Sequence, residues 1–256
     1  MKLLKRYAVV VALSGCAGLD TGNAEVTSIK VAVSVGPGTP IDSTGAQFGI
    51  DTAFVNVRDV ELYMPEGKSC ADLPDLDSVI GSYTLTCDSD KLRARGPWRF
   101  DLISKTATPE LPTIPVFPGT YQRIDVELEP DANDVTLEMT GVVPLNGQST
   151  PYRMRLEFDA RFRFEGTPIE ANANAVAQAL LTLDAAQWFQ SIPIAECANE
   201  GELEFEDGVL IIEDGGDGCD GLEDKVRDHV GDSCSLDRDG DDDDDDHVDG
   251  PSEWPR

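Results

Sequence analysis

Residues 152–164 alternate without interruption. Tyr152, Met154, Leu156, Phe158, Ala160, Phe162 and Phe164 are apolar, while Arg153, Arg155, Glu157, Asp159, Arg161, Arg163 and Glu165 are charged. A period of two held this long is a β-strand with one face in a core and one in water. A slip of one residue would bury the whole charged set, so the register is fixed. At ~3.3 Å per residue the run spans roughly 43 Å, well beyond an ordinary strand, so a bend or bulge is expected at small Ala160. The pleat predicts Tyr152, Met154, Leu156, Phe158, Phe162 and Phe164 buried, with Arg153, Arg155, Arg161 and Arg163 exposed.

Such a strand needs partners, and the preceding chain supplies them. Ile29, Val31, Val33 and Val35 alternate until Gly36-Pro37-Gly38 stops the run. Residues 53–64 form a second strand, whose apolar phase changes from Val55 and Val57 to Val60, Leu62 and Met64. One extra residue at Arg58-Asp59, a β-bulge, accounts for the change. Shorter alternating runs carry Tyr83, Leu85 and Cys87, then Trp98, Phe100 and Leu102, then Ile124, Val126 and Leu128, then Val135, Leu137 and Met139. Prolines at 109, 112, 115 and 118 keep that stretch extended and out of a central strand position. Residues 169–183 have both helix propensity and alternation (Ala175, Ala177, Ala179, Leu181, Leu183). The turn at Gly166-Thr167-Pro168 favours a strand that forms a hairpin with the one before it. Asp184 to Gln187 reads as a capping box before Trp188 and Phe189, and Asp220 to Glu223 opens a second helix with Leu222, Val226 and Val230 on one face.

Many short strands with Pro and Gly turns predict a mainly β fold. The expectation is an antiparallel β-sandwich, Greek-key or Ig-like, or transthyretin-like, with one or two short C-terminal helices and a disordered acidic tail. The expected divisions are 1–15, 16–25 (a tether), 26–212 (the sandwich), 213–234 (a small helical extension) and 235–256 (the tail).

The 256 residues carry a formal net charge of −29, and residues 199–256 hold 23 acidic and 4 basic side chains. That balance argues against nucleic acid and anionic lipid as partners. The N-terminus has a different character. Lys2, Lys5 and Arg6 precede a short apolar run, Tyr7 to Leu13, too short to span a bilayer, followed by Leu13-Ser14-Gly15-Cys16. This resembles the bacterial lipobox. The resemblance implies cleavage before Cys16 and lipidation of its thiol; two or three acyl chains anchor stably where one does not. Ala17 stands where an inner-membrane retention signal would put Asp, which implies the outer membrane of a Gram-negative cell.

The middle of the chain resembles the DUF4382 family of bacterial lipoprotein domains. The resemblance rests on A-F-V-N-V-R-D-V-E-L-Y (53–63), W-R-F-D-L-I (98–103), F-P-G-T-Y-Q-R-I-D-V-E-L (117–128) and V-A-V-S-V-G-P (31–37). It covers roughly 29–165 and implies a β-sandwich and an envelope address. It carries no catalytic residues across.

Five further cysteines follow Cys16: Cys70, Cys87, Cys197, Cys219 and Cys234. Beyond the inner membrane thiols tend to oxidise. Cys70 and Cys87 flank one loop and are expected to pair, as are Cys219 and Cys234 around the last helix, which leaves Cys197 free. There is no C-x-x-C, and the two histidines, His229 and His247, lie in the acidic C-terminal region. No G-x-S-x-G, H-E-x-x-H or phosphate loop occurs. In the run 235–250, Asp237, Asp239, Asp241 and Asp246 fall near calcium-loop spacing, but a bidentate Glu at the end is missing. A solvated polyanion is the expected state, with Ca²⁺ as the candidate ion.

Two basic groups stand out against this acidity. One is Arg153, Arg155, Arg161 and Arg163; the other is Lys91, Arg93, Arg95 and Arg99. Cross-strand ion pairs are the expected arrangement. The first group is also a candidate binding face for an acidic partner, a lipid phosphate or the chain's own tail. The sequence thus leads to a non-catalytic, lipid-anchored envelope module with a protein or glycan partner. A calcium-dependent adhesion module and a carboxylate-based hydrolase are the alternatives.

Overall fold

The strands in chain order are β1 (Thr27–Val35), β2 (Gly49–Tyr63), β3 (Ser78–Ile80), β4 (Tyr83–Asp88), β5 (Lys91–Asp101), β6 (Thr106–Thr108), β7 (Ile114–Val116) and β8 (Gly119–Leu128). They continue with β9 (Leu137–Leu145), β10 (Gln148–Leu156), β11 (Ala160–Ala171), β12 (Val176–Leu183), β13 (Phe205–Glu206), β14 (Val209–Glu213) and β15 (Leu236–Asp237). Among the described residues, two α-helices, α1 (Ile194–Glu200) and α2 (Leu222–Asp232), and two 3₁₀ turns complete the computed structural model. It describes residues 27–72, 78–80, 83–173, 175–213, 221–232 and 236–237.

β2 organises the larger sheet. One edge of it pairs with β5. The other pairs with β9 as far as Val55 and with β8 from Val57 onward. The sheet therefore branches at β2, one arm running through β9, β10, β14 and β13, the other through β8 and β11. The register shifts between Val57 and Asp59 against both β5 and β8, which places the expected bulge at Arg58. A bulge bends and twists its strand, and here it coincides with the change of partner. A second sheet, in the order β12-β1-β7, completes a mainly β, sandwich-like fold.

The core follows the alternation. Val55, Val57, Val60 and Leu62 on β2, Ile29, Val31 and Val33 on β1, and Leu181 and Leu183 on β12 are buried in one cluster. Leu222, Val226 and Val230 of α2 join it. Asp184 accepts a hydrogen bond from the Ala186 N–H, so the cap forms as expected, but it opens a single 3₁₀ turn. That turn delivers Trp188 and Phe189 to the core. Gly141 on β9 is a close approach: a Cβ there would strike the Gly49 carbonyl of β2. The Tyr152 hydroxyl donates to the same carbonyl at 3.1 Å.

The long alternating run is two strands. β10 ends at Leu156 and β11 begins at Ala160, and the two belong to different arms of the sheet. Thr136 holds the crossing. Its hydroxyl accepts from the Phe158 N–H at 3.0 Å and donates to the Phe158 carbonyl at 2.5 Å, while its own N–H donates to Leu156 O. Tyr152, Met154, Leu156, Phe158 and Phe162 are buried as expected, but Phe164 is only partly so. Arg153, Arg155, Arg161 and Arg163 are half-buried rather than exposed, and ion pairs to Glu206, Glu213 and Asp125 fold Arg153, Arg155 and Arg163 over neighbouring strands.

Residues 176–183 are a strand, but not the hairpin partner of β11. β12 runs parallel to β1, with Ser28 opposite Val176 and Val35 opposite Leu183. β10 and β14 form another parallel pair. Leu236 and Asp237, where no packed structure was expected, form a short strand: Phe162 lies opposite Leu236, and Arg161 opposite Asp237.

Candidate functional site

The outer face of the β5–β2–β8–β11 arm carries the strongest concentration of paired charge. Its side chains line up in cross-strand rows, because directly opposed residues of antiparallel strands share a face. The first row reads Arg161, Glu127, Asp59, Arg95 across β11, β8, β2 and β5. The second reads Arg163, Asp125, Glu61, Arg93. Glu165 lies opposite Arg123 in a third row, and Tyr63 opposite Lys91. Carboxylates thus occupy the two middle strands, with guanidinium groups on either side.

Carboxylate directly opposite carboxylate is unfavourable unless cations intervene. The Arg58 guanidinium, placed by the bulge, ion-pairs with Glu127, Glu129 and Asp59. Arg95 grips Asp59 with two hydrogen bonds, at 3.1 and 3.2 Å. Glu61 accepts from Arg93 Nε at 2.5 Å and Lys91 Nζ at 3.3 Å. Arg123 binds both oxygens of Asp125, at 2.8 and 2.5 Å, and Arg163 lies 3.8 Å from Asp125. Forked, charge-assisted contacts of this kind are the strong ones. The hydrogen bond to Asp59 raises Arg95 above the ordinary arginine range, and the one to Asp125 does the same for Arg123.

Burial is unequal within the face. Asp59, Glu61 and Asp125 are 0, 1 and 1% exposed. The Arg95 and Arg58 side chains above them are 53 and 36% exposed. The most deeply buried charges of the face are therefore carboxylates, and the layer that meets water holds Arg58 and Arg95 together with Glu127 and Glu129, 20 and 45% exposed. Tyr63 caps one end, with Arg123 4.0 Å and Lys91 5.9 Å from its ring centroid. Its burial, reinforced by the Asp125 and Glu61 charges against Arg123, pushes its hydroxyl up to about 12.

Of the candidate face, Arg161 and Arg163 belong to these rows. Arg153 and Arg155 do not; they sit on the other arm and face Glu206 and Glu213. The second basic group is paired throughout: Lys91 and Arg93 with Glu61, Arg95 with Asp59, and Arg99 with Glu138 at 2.5 Å. Reading the sequence for cations alone missed the carboxylates. Their signal was present, since Asp59, Glu61 and Tyr63, like Arg123, Asp125 and Glu127, occupy the polar phase of two apolar strands.

Beside the third row, a groove of 660 Å³ runs between β11 and β12, lined by Tyr121, Arg123, Phe164, Ile169 and Leu181 among others. Cys70 and Cys87 form a disulfide that closes the loop between β2 and β4. Cys197, expected free, is disulfide-bonded, and its partner lies outside the described residues. It sits in α1, a helix that the sequence reading did not anticipate, and is 1% exposed. Cys16, Cys219, Cys234, Asp239, Asp241 and Asp246 lie outside the described residues, and of the calcium-spaced aspartates only Asp237 falls within them, in β15. No family model, no curated protein and no solved structure matches the chain.

Proposed function

We propose that this chain is a lipid-anchored envelope protein whose sandwich acts as a non-catalytic binding or structural module, with the charged sheet face as its contact surface. The observation that carries the address is cysteine oxidation downstream of the lipobox-like Leu13-Ser14-Gly15-Cys16. The Cys70–Cys87 bond and the bonded Cys197 fit a compartment where thiols do not stay reduced. The resemblance of 29–165 to DUF4382 lipoprotein domains points the same way.

The state of the carboxylates supports a binding or structural role. A catalytic acid, base or nucleophile must touch substrate. Asp59, Glu61 and Asp125 are sealed beneath their cations. Their oxygens are committed to guanidinium and ammonium groups, which favours a surface that holds shape over one that turns over substrate.

The test is the lipid anchor. Cys16→Ser is expected to leave an uncleaved or aqueous-phase protein on detergent partitioning, where the parent enters the detergent phase. Unchanged partitioning of the variant defeats this reading.

A further inference from the structure

We infer that the acidic C-terminal run, Asp239 to Asp246, docks on the first row of the charged sheet face, over Arg161, Arg58 and Arg95. The inference goes beyond the envelope reading and stands without it.

The starting point is fixed. β15 pairs with β11 so that Asp237 lies opposite Arg161, at one end of the first row. Asp237, the last described residue, is therefore at the edge of the charged face. The residues after it include Asp239 and six consecutive aspartates, Asp241 to Asp246. From β15 the path crosses β11, β8 and β2 to β5, four strand spacings or about 19 Å. Six extended residues cover about 20 Å, so the aspartate run is long enough to reach Arg95.

Charge selects this face. With 23 acidic side chains in residues 199–256 and a net charge of −29, most of the molecule repels the run. Of the two central carboxylates of the first row, Asp59 is fully covered and Glu127 is 20% exposed, while Arg58 and Arg95 above them are 36 and 53% exposed. Arg95 spends two of its five donors on Asp59 and is 53% exposed, so its outer edge is open to a carboxylate. The tail acts as a resident anion, and any acidic partner for this face must displace it.

Arginine footprinting with phenylglyoxal, read by mass spectrometry at low salt, tests the inference on the full chain and on the full chain carrying Asn at positions 241–246. Arg99 and Arg153 serve as controls on the other parts of the sheet, because their side chains, 35 and 37% exposed, match Arg58 at 36%. Arg58 and Arg95 are expected to react at least about threefold slower in the parent than in the Asn variant, with Arg99 and Arg153 unchanged. A polyaspartate peptide added to the Asn variant is expected to restore the protection. Equal rates at Arg58 and Arg95 in the two proteins overturn the inference, and so does a uniform change at all four arginines. Since none of the aspartates replaced belongs to the ion pairs described above, the comparison does not depend on disturbing those pairs.

Discussion

Glu61 and Asp125 face one another directly across the β2–β8 pair, and each is 1% exposed. Two like charges in that position are held only by the cations around them. Breaking a buried pair by removing one partner typically costs about 3–5 kcal/mol, because the remaining charge is stranded. Arg123→Ala removes the fork on Asp125, and stability in urea is expected to fall by about that amount. Asp125→Asn on the same background is expected to recover part of the loss. A double-mutant cycle with no coupling between positions 123 and 125 contradicts the arrangement.

Thr136 is fully buried and binds both backbone groups of Phe158 at the crossing from β10 to β11. Thr136→Val keeps the shape and removes the hydroxyl. It leaves a buried N–H and a buried C=O without that partner, at about 1–3 kcal/mol each. The expected result is a clear drop in melting temperature and faster amide exchange at Phe158. Parent-like exchange there would mean that the crossing is held by something else.

That crossing also shows what the sequence could and could not disclose. The phase change between Val57 and Val60 revealed the bulge, since a bulge alters which side chains face inward. The break at 157–159 altered nothing of the kind: Phe158 stays on the apolar phase through the connector, so alternation continues while the strand changes partners. Direction is equally silent. Ala179, Leu181 and Leu183 alternate the same way whether β12 runs beside β1 or turns back on β11. The charge rows were half legible. Each strand's polar phase could be read alone, but that Asp59 would meet Glu127 depends on register between strands nearly seventy residues apart. Short-range patterns therefore identified strands and core residues, and the pairings that build the face came only with the fold.

The bonded state of Cys197 gives a direct chemical expectation. Alkylation of the denatured but unreduced chain is expected to leave Cys197 unmodified, with modification only after reduction. Cys197→Ser is expected to release one new thiol elsewhere, and peptide mapping of that thiol identifies the partner. Labelling of Cys197 without reductant would return it to the free state that the spacing suggested. Closing a long loop contributes about 3–4 kcal/mol in the chain-entropy account, so the variant is also expected to melt earlier.

Alkaline pH provides the last test, through the tyrosines. Burial raises Tyr63 to about 12, with the Asp125 and Glu61 charges adding to it, and burial also raises Tyr83, Tyr121 and Tyr152 above the ordinary value of 10.0. A group whose folded value is raised holds its proton more tightly in the native state. Its stabilising effect is complete below pH 10.0, the unfolded value, and is lost as pH climbs through the folded one. For Tyr63 that window runs from 10.0 to about 12. Stability is therefore expected to be flat with respect to these groups at neutral pH and to decline steeply above 10.0, with phenolate absorbance lagging behind that of free tyrosine. Tyr63→Phe removes one of the four contributions while keeping the ring beneath Arg123 and Lys91. Its stability curve is expected to fall less steeply than the parent's between pH 10.0 and about 12. Four tyrosines titrating at the ordinary value in the folded protein would place their hydroxyls in water and contradict the packing around them.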